Sequence, residues 1–211
     1  MKKYITGIFI ILAFLQSVRA QRTYLETEVS GEIFENFEIS LSPQIRFREG
    51  FDLNEYFFDT GAEYKFNRYF SAATSYRLGT NVSKDGDHTN FGRFAFDAKT
   101  KINLNNFEPK FRLRYTNLNE DFSEESETKY HFLRYKLELE YHISDSLFKP
   151  YIYSEFFQNL TETGANGIRF EGGLNYKINK HNMVGAYYRI SSSINTGECF
   201  DVIGLTYKLK L

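Results

Sequence analysis

The chain has almost none of the residues that fasten or break a small fold. Of its 211 residues, Cys199 is the only cysteine. An internal disulfide is therefore excluded, and hydrogen bonds and packing must hold the fold. Proline occurs three times, so long strands are not interrupted. Tryptophan is absent, and the aromatic content of 18% is all Phe and Tyr, which favours strands. Net charge is -1 and there is no basic run, which excludes a nucleic acid partner tracked through its phosphates. Beyond residue 20, no apolar run is long enough for a transmembrane helix. Motifs of chemistry are missing as well. There is no Gly-x-Ser-x-Gly elbow, no His-Glu-x-x-His and no phosphate-binding glycine loop. No cofactor, metal site or catalytic residue is expected.

What the sequence does have begins at its start. Met1-Lys2-Lys3 is a basic n-region, and Tyr4 to Leu15 is an apolar h-region. Val18 and Ala20 are the small residues before a cut. Residues 1–20 are therefore read as a secretory signal peptide, leaving Gln21 first in the mature chain.

After it the period is two throughout. Segments 22–32, 37–48, 53–66, 69–80, 90–104, 107–119, 128–143, 149–161, 167–178, 182–194 and 198–211 alternate in polarity. Several are longer than the roughly 5 or 6 residues usual in soluble strands, and match the ~9–11 needed to cross a membrane. Tight connections at Asn67-Arg68, Asn105-Asn106, 144–146 and 179–181 alternate with longer polar ones at 81–89, 120–127, 161–166 and 195–197. Together these predict an all-β fold: a closed antiparallel transmembrane β-barrel, with short periplasmic turns and longer extracellular loops. An even strand number puts ten strands in residues 37–211, with twelve next. Residues 21–36 are then an N-terminal segment holding a possible partial strand. The predicted location is the outer membrane of a Gram-negative bacterium, among outer-membrane lipid and lipopolysaccharide. The oligomeric state stays open.

One parity carries Phe37, Ile39, Leu41 and Ile45, then Phe94, Phe96 and Ile102, then Phe111, Leu113 and Tyr115, then Phe170, Leu174 and Tyr176. This parity is assigned to lipid. The other carries Arg46, Glu63, Lys65, Arg77, Arg93, Asp97, Lys99, Lys110, Arg189, Lys208 and Lys210, and is assigned to the lumen. In a soluble periplasmic ligand-binding barrel the two parities would be exchanged.

The densest charge lies on four consecutive segments. Arg112, Arg114, Arg134, Lys136 and Arg169 face Glu138, Glu140, Glu155 and Glu171. Such a network is either a constriction for a small polar solute or a salt-bridge plug, and the plug is favoured for a barrel of this size. The acidic loop with Glu120, Asp121, Glu124, Glu125 and Glu127 lacks the order of a calcium loop, and Asp85-Gly86-Asp87-His88 is a weaker form of it. Both are read as solvated loops. A hydrolase acting on outer-membrane lipid or lipopolysaccharide would need Ser and His together, and His142 beside Ser144 is the nearest arrangement. The favoured reading is not an enzyme but a narrow pore or a structural barrel.

The stretches "SLSPQIRFREG" (40–50), "YRLG" (76–79), "KFRLRY" (110–115), "YKLELEYH" (135–142) and "PYIYSEFF" (150–157) resemble an uncharacterised family of exported Gram-negative barrels, catalogued as domain of unknown function 2490. Tyr24 stands where that family usually opens with Trp. The resemblance implies an outer-membrane location and supplies no reaction.

Overall fold

The computed structural model describes residues 21–117, 131–161 and 166–211. The expected signal peptide and the acidic loop at 120–127 lie outside these residues. Among the described residues eleven strands form: β1 (Arg22–Phe34), β2 (Phe37–Phe47), β3 (Leu53–Lys65), β4 (Phe70–Val82), β5 (His88–Lys101), β6 (Phe107–Thr116), β7 (Phe132–Tyr141), β8 (Phe148–Asn159), β9 (Gly167–Lys177), β10 (Asn182–Ser193) and β11 (Cys199–Lys210). Each pairs antiparallel with the next in sequence, and β1 meets β11 to close a barrel.

The closed barrel is the fold expected, and its strand number falls between ten and twelve. Residues 21–36, set apart above, enter it as a full strand. The even-number rule assumes that both termini leave at the same end of the barrel. With eleven strands, β1 and β11 run in the same direction, so the closing pair is parallel, from Arg22↔Val202 to Ser30↔Lys210. The backbone N–H of Leu211 extends this seam to the Ser30 carbonyl at 2.8 Å.

Turn chemistry explains the short end. Asn36, Asn105 and Asp145 take positive φ of 65°, 55° and 57°. Asn and Asp tolerate that region better than other non-glycine residues. Asn67 Oδ1 accepts the N–H groups of Tyr69 and Phe70, and Asn179 Oδ1 those of His181 and Asn182. These side chains finish the turns that the backbone alone would leave open. At the opposite end the strands are joined in sequence through 48–52, 83–87, 117–131, 160–166 and 194–198. The first holds a short 3-10 turn, Glu49–Phe51.

Strand parity then decides which side chains meet. Ile39, Phe94, Phe96, Phe111, Phe170, Leu174 and Leu205 are exposed on the outer face. Arg46, Glu55, Arg77, Arg93, Asp97, Arg134, Glu155, Arg169 and Glu171 are buried inside. The barrel is thus apolar outside and charged within, the reverse of a soluble barrel.

Candidate functional site

The lumen has two halves. Toward the long connections it is filled. Tyr24, Phe57, Phe132 and Phe157 share the inward parity with the charges and are at most 2% exposed. Arginine guanidiniums sit over the rings of Tyr24, Phe57 and Phe157. Arg77 stands 3.5 Å above Phe57, Arg46 4.6 Å above Tyr24, and Arg134 and Arg169 at 4.4 and 4.8 Å above Phe157. A guanidinium suits such a layer because it stacks and donates in the same plane.

Carboxylates tie the layer across strands. Glu155, on β8, is the hub. Arg134 reaches it with two hydrogen bonds of 3.1 and 2.9 Å, Arg112 with one of 2.7 Å and Arg169 with one of 3.3 Å. The register places Lys136 directly opposite Glu155, which brings the flanking Arg134 within reach along the same face. Glu171 is a second hub. Arg189 donates to it at 2.6 Å, and the Tyr151 and Tyr153 hydroxyls at 2.7 and 2.8 Å. Arg46 pairs with Glu55 at 3.0 Å, Arg77 with Asp59 at 2.5 Å, and Arg114 grips both oxygens of Asp97 at 2.6 and 2.7 Å. The Tyr187 hydroxyl donates to Glu26, joining β10 to the first strand. Arg114 therefore does not join the expected partners; its carboxylate is the cross-strand Asp97.

Toward the short turns lysine replaces arginine. Lys110 contacts Glu108, Glu138 and Glu140 at 3.2, 3.2 and 2.9 Å. Lys136 meets Glu138 at 2.7 Å, Lys99 meets Glu63 at 2.6 Å, and Lys65 meets Glu32 and Glu38 at 3.0 and 2.9 Å. Two cavities open here, of about 450 and 410 Å³. The first extends up to Arg46, Arg77, Arg134 and Arg169, and its lining does not include Tyr24, Phe57, Phe132 or Phe157. The arginine layer is its ceiling.

All nine expected lumen residues face inward. Sequence reasoning missed the aromatic part of the layer, together with Glu55, Asp59 and Glu26. A signal was present: Glu55-x-Phe57-x-Asp59 and Tyr151-x-Tyr153-x-Glu155-x-Phe157 put aromatics on the charged parity.

Glu108, Glu140 and His142 come within 4.8 Å of one another. Lys110 and Lys149 hold Glu140 at 2.9 and 3.3 Å, so its charge is already balanced by cations. His142 contacts Glu140 at 2.8 Å, and Ser144 Oγ accepts a hydrogen bond from Asn106. Those contacts tie the two to the turn.

A family model described as a protein of unknown function (DUF2490) matches residues 21–198. The chain belongs to this family. No curated protein is significantly similar to it in sequence. Among solved structures, the β domain of the Bordetella autotransporter BrkA is 12% identical, with 82% of each chain covered and a TM-score of 0.47.

Proposed function

We propose that this member of the family is an exported outer-membrane barrel without a reaction of its own, whose lumen is a blind vestibule under an arginine–carboxylate–aromatic plug. The observation that carries the reading is the sidedness of the strands. Large apolar side chains ring the outside while paired charges fill the inside. An apolar outer surface is stable against lipid acyl chains and costly against water. Aromatic pairs near the short turns support it. The rings of Phe107 and Tyr141, Phe148 and Tyr176, and Tyr64 and Phe66 lie 4.9, 4.9 and 5.0 Å apart, the first two pairs tilted and the third edge-to-face, all exposed. Such rings suit a membrane–water interface. The signal read in residues 1–20 supplies the route of export, and outer-membrane lipid and lipopolysaccharide are the expected surroundings.

The plug distinguishes this reading from an open pore. Barrels of about eight strands are filled by side chains, and eleven lie nearer that size than the 16 to 18 of porins. The test is a planar bilayer recording of the folded, full-length mature chain. The wild type is expected to show no steady conductance. Arg134→Ala, which removes a stacked guanidinium and two bonds to Glu155, is expected to open brief or sustained current. A wild-type barrel that conducts steadily would replace the plug with a pore.

A further inference from the structure

We propose that the row Lys99, Arg112 and Lys136, at the waist between the two halves, binds a small oxyanion carrying at least two negative charges, which enters from the short-turn mouth. The inference rests on the blind-vestibule reading above.

Register carries it first. Lys99 is paired with Arg112, and Arg112 with Lys136, in direct cross-strand register on β5, β6 and β7. Lys101 and Lys110 form a further like-charged pair one step toward the turns. Like charges directly opposite one another on neighbouring strands, about 4.8 Å apart, destabilise a sheet. Arg77↔Arg93 and Arg114↔Arg134 are like-charged pairs as well, but each of those rows sets two cations beside an aspartate, Asp59 or Asp97, whereas here three cations stand in a row beside the one Glu155.

Shared counter-charge comes second. Arg112 has Glu155 as its carboxylate, and Glu155 also serves Arg134 and Arg169. Lys136 has Glu138, which also serves Lys110. The three cations of the row thus draw on Glu63, Glu155 and Glu138, and the last two are shared with further cations. Arg112 Nε has no hydrogen-bond partner among the described residues.

Space comes third. Arg112 lines both large cavities and the neighbouring one of about 250 Å³. The cavity of about 410 Å³ brings Lys65, Lys99, Lys101, Lys110, Arg112 and Lys136 together against Glu63 and Glu138. That volume lies within the range of small-molecule sites. Guanidinium and ammonium donors around such a space match phosphate or polycarboxylate oxygens. The shared chemistry is compact, multiply charged and oxygen-based, so pyrophosphate and citrate are both suitable probes, and chloride is the control for charge alone.

The experiment is calorimetric titration of the folded full-length mature barrel, in a neutral detergent at low salt, with each probe. Compact gel mobility before boiling is checked first on every sample, so that a failure of the barrel reading is separated from a failure of this one. The expected result is saturable binding of pyrophosphate or citrate at one site, weakened by added salt. Arg112→Gln and Lys136→Gln should each weaken it by about tenfold or more. Lys99→Gln, whose partner Glu63 is less buried, serves where the Arg112 variant does not fold. Lys177→Gln, on the inward parity but outside all three cavities, should bind as the wild type does. A correctly folded wild type with no saturable binding of either probe overturns the proposal. So does equal weakening in Lys177→Gln, which would reduce the effect to net charge.

Discussion

Toward the long connections the lumen's cations are arginines. Arg46, Arg77, Arg93, Arg134 and Arg169 are at most 6% exposed. Toward the short turns they are lysines, and the side chains of Lys65, Lys99, Lys110 and Lys210 are 30–52% exposed. The two halves are built from one inward parity of the same strands. What separates them is the head group. A guanidinium is weakly hydrated, stacks on a ring and forks onto a carboxylate, so it can be packed dry. An ammonium holds its water, so the lysine half stays open. The two halves thus differ in the choice of cation and in the aromatics set among the charges.

The comparison breaks most severely at Glu155. Glu155→Ala leaves Arg112, Arg134 and Arg169 without their shared carboxylate in a buried layer. The expected cost is about 3–5 kcal/mol, the usual scale for breaking a buried charge network from one side. It would be read as a fall in the temperature at which the barrel loses its compact gel mobility. Phe157→Ala removes the ring between Arg134 and Arg169 and is expected to cost about 3 kcal/mol, at the low end for such truncations because water can enter. Arg134→Lys keeps the charge but loses the fork and the stack. A loss of about 1–2 kcal/mol by the same assay would sharpen the distinction between head groups. No loss would erase it. The smallest effect belongs to the lysine half, where Lys65→Gln should change stability by less than about 1 kcal/mol and lose even that in high salt.

Much of this was legible in the sequence. The period of two separates outward Phe94 and Phe96 from inward Arg93 and Asp97 without any structure, because a strand has only two faces. The nine charged lumen residues follow from the same count. The seam was not legible. Residues 22–32 alternate like any other strand, and the direction in which β1 meets β11 is set by barrel closure, a contact between chain ends that no local pattern records. The lumen aromatics were hidden for a different reason. Phe57 and Phe157 are apolar residues on a charged parity, and a polarity pattern treats them as interruptions. Their role depends on guanidinium groups from other strands, such as Arg77 above Phe57 and Arg169 above Phe157. Partner choice was equally remote: Arg114 has carboxylates within reach on several strands, and register alone selects Asp97.

The absence of tryptophan makes the sidedness directly measurable, since any introduced indole reports alone. Phe96 is 54% exposed on the outer face, and Phe157 is fully buried in the lumen. Phe96→Trp and Phe157→Trp, each folded into bilayers containing brominated lipid, would be compared by fluorescence quenching. Strong quenching of the indole at position 96 and little at 157 is the expected result. The opposite pattern, or equal protection of both in a protein that stays in the aqueous fraction, would contradict a barrel that turns its apolar face to lipid and its charges inward.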